Sequence, residues 1–117
     1  DLVDIAEAVI DGKLAELDIQ WQPGAAACVV MASGGYPGSY EKGIEIRGLD
    51  ESGQVPGATV YHAGTALQTG RFVTAGGRVL GVTALGADLD EAISNAYAAC
   101  APISFQDMHF RTDIGKV

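Results

Sequence analysis

Glycine is the residue that most constrains this chain. It supplies 16 of the 117 residues, about twice the usual share of roughly 7%. More than half of these glycines lie in four segments, namely SGGYPG (33–38), HAGT (62–65), TAGGRVLGVTALG (74–86) and DIG (113–115). Glycine permits left-handed backbone and the close approach of a second backbone or a ligand. The pattern predicts a small domain of short strands joined by tight turns, and it leaves open whether any turn contacts a ligand.

Two segments have the spacing of apolar residues that is typical of an amphipathic helix. The first covers residues 1–17, and Gly12 is expected to interrupt or end its regular part. Its apolar face consists of Leu2, Ile5, Ala6, Val9 and Ile10. The second is capped by Asp88, has Glu91 in capping-box position and is ended by Pro102. Its apolar stripe consists of Leu89, Ala92, Ile93, Ala96, Tyr97 and Cys100.

The remaining segments favour strands, because they are short and rich in β-forming residues. They are residues 25–33, 44–49, 58–65, 71–74 and 78–85. Ala75-Gly76-Gly77 predicts a β-hairpin between the last two, and weak alternation in residues 104–117 could add one edge strand. This order is not a βαβ alternation. We therefore predict an α+β fold, a small, mostly antiparallel β-rich domain with a leading helix and one helix in the C-terminal half.

Charge and composition exclude several classes of protein. The net charge is −8, with 15 acidic and 7 basic residues, which disfavours nucleic acid or an anionic membrane as a partner. No apolar run approaches the roughly 20 residues of a membrane helix, and no signal peptide is visible. A first residue other than Met is expected of a piece of a longer chain. Cys28 and Cys100 form no CxxC pair, so we expect two reduced core thiols in a cytoplasmic protein.

Common catalytic motifs are also absent from the sequence. It contains no GxGxxG and no GxSxG, and in GSYEKGI (residues 38–44) an Ile stands where a phosphate loop requires Lys. The two histidines, His62 and His109, have no Cys or carboxylate at ligand spacing, so we predict no metal site. Neither Met is flanked by the Lys that a biotinyl or lipoyl carrier domain needs.

The glycine-rich segments together resemble a known family. ASGGYPGSYEKG (32–43), HAGT, TAGGRVLGVTALG and RTDIG (111–115) are similar to signature blocks of the C-terminal domain of the phosphoribosylamine–glycine ligase family, in the same order and at the same spacing. The resemblance covers essentially the whole chain, including GKL (12–14) and Trp21. It is specific, because four separate blocks agree.

The resemblance implies a place in a larger ATP-grasp enzyme. Residues 1–20 would be a helical lead-in from the preceding ATP-grasp domain, and residues 21–117 the C-terminal β-rich domain. The intact enzyme would join 5-phosphoribosylamine and glycine to give glycinamide ribonucleotide in de novo purine biosynthesis, with ATP and Mg²⁺ (or Mn²⁺). This domain would pack against the N-terminal and ATP-grasp domains and close one side of the substrate cleft. By itself we expect it to be inactive, with no catalytic or metal residue and no bound ATP.

Four residues are candidates for substrate binding. Arg78 follows Gly76-Gly77, where backbone N–H groups and a guanidinium could hold the substrate phosphate. In purine-pathway ATP-grasp relatives, a similar basic stretch before a glycine-containing strand contacts the ribonucleotide phosphate. Tyr36, beside Pro37, could shape the cleft. The competing interpretations are a surface arginine on a strand and a rigid turn against a neighbouring domain.

Other polar residues favour structural roles. We expect His62 to pack or to bond backbone, His109 to be structural, and Arg111 to pair with Asp113. A non-catalytic scaffold domain remains the alternative function. If the domain is part of a larger protein, we expect Leu2, Ile5 and Val9 not to be covered by this chain's own sheet.

Overall fold

The computed structural model describes residues 1–116 and confirms an α+β fold with antiparallel sheets. In chain order its elements are α1 (Leu2–Ile10), a 3₁₀ helix (Leu14–Glu16), β1 (Ala25–Ala32), β2 (Thr59–His62), β3 (Thr65–Gln68), β4 (Arg71–Thr74), β5 (Arg78–Gly86) and α2 (Leu89–Cys100). Among these residues no helix is long and apolar enough to cross a membrane.

The core lies between α2 and a three-stranded sheet of order β1-β5-β2. Alternate residues of β1 and β5 point inward, and Met31, Val29, Leu80 and Val82 are almost completely buried there. Fully burying side chains of this kind contributes about 1.5–3 kcal/mol each. The facing residues of α2 are mainly small, such as Ala92 and Ala96, so the helix lies close to the sheet.

The start and end of α2 confirm the sequence prediction. The Asp88 carboxylate accepts a hydrogen bond of 2.9 Å from the Glu91 N–H, and Glu91 Oε2 accepts one of 2.6 Å from the Ala87 N–H. The first satisfies a donor that the first helical turn leaves unpaired, and the second ties Glu91 to the residue before the cap, one position earlier than the Asp88 N–H of the usual capping box. The helix ends at Cys100, two residues before Pro102.

The predicted hairpin around Ala75-Gly76-Gly77 is wrong. β4 pairs with β3 in a separate two-stranded sheet, whereas β5 pairs with β1 and β2. The hairpin turn of β3 and β4 is Thr69-Gly70, with φ angles of 47° and 76°. A two-residue turn with both φ angles positive normally contains Asn-Gly or Asp-Gly, so Thr at the first position concealed it. Residues 75–77 instead lead from the small sheet into the large one.

Two other strand predictions need correction. Residues 44–49 form isolated bridges, from Glu45 to Val73 and from Arg47 to Ser104, rather than a strand. Their chain continues through Gly48, whose φ of 88° is left-handed and ends extended pairing. The predicted strand 58–65 is divided, because its last residue belongs to β3. Residues 104–116 contain bridges but no strand, and Val117 lies outside the described residues.

The regular part of the leading helix ends before Gly12, as predicted, and α1 lies apart from the core. α1 ends at Ile10, two residues before Gly12, whose φ is 68°. None of its residues is buried, and Leu2 and Ile10 are 77% and 83% exposed. As expected for a part of a larger protein, the sheet of this chain does not cover the apolar face of α1.

The two cysteines are free thiols in different surroundings. Cys100 is buried on α2, and burial, with a smaller contribution from Cys28, raises its pKa to about 11. The core prediction is wrong for Cys28, which is exposed. The run 25–32 is apolar throughout, but only alternate residues of β1 face α2, and Cys28 lies on the outer face between Ala27 and Val29.

The Thr69-Gly70 turn gives a prediction about stability. Thr69→Asn should raise the free energy of unfolding by about 1 kcal/mol, because Asn tolerates left-handed backbone better than a β-branched residue. Equilibrium urea denaturation measures the change. Thr59→Asn, an exposed position in the extended strand β2, is the matched control and should give no gain. Equal effects at both positions would contradict the turn assignment.

Candidate ligand-binding cleft

A cleft of about 620 Å³ lies where the outer face of the large sheet meets the glycine-rich loops. It contains all four residues that the sequence singled out, namely Tyr36, Gly76, Gly77 and Arg78. The other lining residues are Val30, Tyr61, His62, Ala63, Gly64, Ala75, Leu80 and Gly81. None of the twelve is Asp or Glu, although the chain has 15 acidic residues. The cleft therefore lacks the carboxylates that would repel an anion.

The loop between β4 and β5 is held to its neighbours mainly through its carbonyl groups. Ser33 Oγ donates to the Gly76 carbonyl and the Ser33 N–H donates to the Gly77 carbonyl, and each hydrogen bond is 2.8 Å long. The Ala75 N–H donates a hydrogen bond of 2.8 Å to the Gly64 carbonyl. The N–H groups of Gly76 and Gly77 have no acceptor within residues 1–116. Two backbone donors are thus left over for a ligand or water.

Glycine is needed where the chain segments around the cleft cross. A Cβ atom on Gly64 would lie 2.5 Å from the Arg78 carbonyl oxygen and 2.8 Å from the Gly76 Cα atom. A Cβ atom on Gly77 would overlap the rings of Tyr36 and Tyr40. Side chains at these two positions would force the loops apart, so this glycine-rich sequence is what allows the cleft to form.

Tyr36 forms one wall of the cleft. Its ring lies against Gly77, with its centroid 6.3 Å from that of Tyr40, and the residue is 41% exposed. The Tyr36-Pro37 peptide bond is cis, an arrangement found in only about 5–6% of bonds that precede proline. Tyr36 is therefore both packed within a turn and available to a ligand.

In the part of the chain that the structure describes, Arg78 is the arginine with no acidic partner. Three of the four arginines in residues 1–116 lie near a carboxylate: Arg47 and Arg71 near Glu45, and Arg111 near Asp113. The side chain of Arg78 is exposed at the start of β5 and forms no ion pair or hydrogen bond with the described residues. Its charge is therefore not neutralised locally, in a cleft without carboxylates.

His62 lines the cleft but has the structural role that the sequence favoured. Its Nε2 lies 2.8 Å from the Gly53 carbonyl oxygen and its Nδ1 lies 2.9 Å from Thr65 Oγ1. Its ring also packs against Phe72, with a centroid separation of 4.9 Å. Both ring nitrogens are occupied, so His62 holds the loops rather than offering a free base.

The remaining polar candidates are not among the cleft residues. His109 forms a backbone bridge with Ala32. Arg111 donates two hydrogen bonds of 2.7 and 2.8 Å to Asp113, and these bonds lower the pKa of the Asp113 carboxyl below its usual value. The predicted pair is therefore present. Because both side chains are exposed, water screens the attraction between them.

Sequence reasoning missed several residues of the cleft. Ser33 is separated from Gly76 by 43 positions, and no local pattern indicates that contact. Val30 and Tyr61 lie opposite Gly81 on the two neighbouring strands. Alternation along β1 places Val30 on the outer face, and a continuous apolar run does not indicate which of its residues lie there.

Groups that could bind a metal are not found in the described residues. Within residues 1–116 no three His, Cys, Asp or Glu side chains are grouped so that they could hold an ion. No ligand set for Mg²⁺ or for a Mg-nucleotide is therefore present in this part of the chain.

Comparisons with known proteins agree on one family. The pattern of the family described as "Phosphoribosylglycinamide synthetase, C domain" matches residues 26–117. The chain is 49% identical over 114 residues to the phosphoribosylamine–glycine ligase of Caldanaerobacter subterraneus, covering 97% of this chain and 27% of the relative. It is 50% identical over 115 residues to the ligase of Synechocystis, with the same shares covered.

A solved structure is similar as well. The crystal structure of the phosphoribosylamine–glycine ligase of Thermotoga maritima matches with a TM-score of 0.73 and 32% identity, over 93% of this chain and 27% of that one. The chain thus spans about a quarter of the length of the relatives that it matches.

Proposed function

Because the chain belongs to the phosphoribosylglycinamide synthetase C-domain family, we propose that it serves as the C-terminal domain of a phosphoribosylamine–glycine ligase. The intact protein joins 5-phosphoribosylamine and glycine, with cleavage of ATP, to give glycinamide ribonucleotide in purine biosynthesis. The support is the family match together with relatives of that name at 49% and 50% identity.

The exposure of α1 supports the proposed domain division. Residues 1–20 form the lead-in from an ATP-grasp domain, and residues 21–117 form the C-terminal domain. Leu2 and Ile10 are mostly exposed, and no residue of α1 is buried. The N-terminal and ATP-grasp domains of the same polypeptide cover this apolar face, which would otherwise remain in water.

The cleft takes the phosphate of 5-phosphoribosylamine. Arg78 supplies a positive charge and a planar fork of donors, and Gly76 and Gly77 supply backbone N–H groups. The observation that carries this proposal is Arg78 itself, which has no carboxylate partner within residues 1–116, in a chain with a net charge of −8, and which lines a cleft without acidic residues. Tyr36 limits the width of the cleft beside the phosphate.

The other substrates are assigned to the rest of the polypeptide. ATP, Mg²⁺ (or Mn²⁺) and glycine bind mainly outside this domain, and residues 1–116 offer no metal ligand set. The proposed enzyme works in the cytoplasm.

A scaffold that only contacts neighbouring domains is the second candidate. The exposed apolar residues of α1, and Tyr61 and Leu85 on the outer sheet face, favour it. The scaffold function, however, does not require the positive charge of Arg78. The two functions therefore differ in what they predict for that residue.

Arg78→Ala in the intact ligase should raise the KM for 5-phosphoribosylamine about 10- to 150-fold. Losing a charge-assisted bond to phosphate costs about 1.5–3 kcal/mol. The KM values for ATP and glycine should barely change. Steady-state kinetics with each substrate varied in turn provides the measurement.

Arg47→Ala is the matched control, because Arg47 is exposed, lies 3.9 Å from Glu45 and does not line the cleft. It should leave all three KM values unchanged. An unchanged KM for 5-phosphoribosylamine in Arg78→Ala would favour the scaffold instead.

The chain alone should fold but show no ligase activity and no affinity for Mg-ATP. The reason is that residues 1–116 provide no phosphate loop and no carboxylate group able to hold a Mg-nucleotide. Calorimetric titration of the purified chain with Mg-ATP tests this, with the intact ligase as the positive control. A micromolar dissociation constant for the chain alone would contradict it.

A further inference from the structure

Ser33 has an unusual position for a polar residue. It follows β1, is only 3% exposed, and makes two contacts with the loop that precedes β5. Its hydroxyl donates to the carbonyl of Gly76 and its own N–H donates to the carbonyl of Gly77, and each hydrogen bond is 2.8 Å long. One residue thus fixes two consecutive peptide groups of the cleft.

Because a peptide group is planar, these contacts also fix the direction in which the neighbouring N–H groups point. In a trans peptide the C=O and the following N–H lie in one plane and point in opposite directions. When Ser33 holds the Gly76 carbonyl, the N–H of Gly77 must point away from Ser33. When it holds the Gly77 carbonyl, the N–H of Arg78 must do the same.

We propose that Ser33 is a positioning residue for phosphate binding: by holding the carbonyl of Gly76, it aims the N–H group of Gly77 at the anion in the cleft, and by holding the carbonyl of Gly77 it fixes the backbone that leads to Arg78. This rests on the proposed function, in which the cleft takes the phosphate of 5-phosphoribosylamine. Ser33 does not touch the substrate. It acts through the Gly76-Gly77 peptide group, whose N–H binds the phosphate.

The glycines make such a device necessary. A Gly-Gly segment has more backbone freedom than any other pair of residues, so without a fixed carbonyl the Gly76-Gly77 peptide group can rotate. A rotated group would present a carbonyl oxygen to the phosphate and repel it. The Ser33 hydroxyl removes that alternative before the substrate arrives, which lowers the cost of ordering the loop on binding.

Ser33→Ala in the intact ligase tests the proposal. Loss of one neutral hydrogen bond should raise the KM for 5-phosphoribosylamine about three- to tenfold. The inhibition constant of inorganic phosphate, used as a competitive probe of the same cleft, should rise by the same factor. The kcat and the KM values for ATP and glycine should stay unchanged, which a general structural defect would not allow.

Thr74→Val is the matched control. Thr74 is 1% exposed, and its hydroxyl accepts a hydrogen bond of 3.1 Å from the Ile44 N–H rather than holding the carbonyls of Gly76 or Gly77. The variant loses a comparable buried bond and should lower the melting temperature without changing the KM for 5-phosphoribosylamine. Ser33→Cys, which keeps the size and a weak donor, should give an intermediate KM and serves if Ser33→Ala does not fold.

The results of these experiments distinguish the positioning role of Ser33 from the proposed binding of phosphate in the cleft. If Arg78→Ala raises the KM but Ser33→Ala and Ser33→Cys do not, the positioning role is wrong and the phosphate site stands. If Ser33→Ala lowers kcat and raises all three KM values together, Ser33 is structural only. If neither Arg78→Ala nor Ser33→Ala changes the KM for 5-phosphoribosylamine, the phosphate site itself is wrong.

Discussion

The double pairing of β5, with β1 on one side and β2 on the other, is the interaction on which the rest of this domain depends. It places β5 at the centre of the large sheet, where its inward residues Leu80 and Val82 form the core with α2. Arg78 begins the same strand, and the register with β1 shifts between Met31 and Ala32, just where the chain approaches it. The same backbone pairing of β5 therefore holds both the core residues and the start of the cleft in place.

The two faces of the large sheet have different tasks. The inner face is covered by α2, whereas Val30, Tyr61 and Leu85 remain exposed on the outer face. Val30 and Tyr61 lie on either side of Gly81, in a row that leads to the cleft. An apolar surface beside a binding cleft is typical of a contact between domains. This agrees with a chain that spans about a quarter of the relatives' length.

The sequence predicted best what local rules determine. The capping of α2 by Asp88, with Glu91 three residues further on, depends only on neighbouring residues. The strand pairing was missed because Thr69-Gly70 lacks the usual turn residues and Ala75-Gly76-Gly77 has them. Arg78 and its glycines were found from the Gly-Gly-Arg sequence together with the family resemblance. Ser33 could not be predicted at all, because its partners are 43 and 44 positions away and only the folded sheet brings them together.

The position of the phosphate is the most direct test of this account. A crystal structure of the intact ligase with glycinamide ribonucleotide should show phosphate oxygens within about 2.7–3.1 Å of the Gly77 N–H and of the Arg78 guanidinium. The Ser33 hydroxyl should still be bonded to the Gly76 carbonyl, and Tyr36 should lie beside the phosphate. A phosphate bound in another domain, with Arg78 facing solvent, would contradict the account.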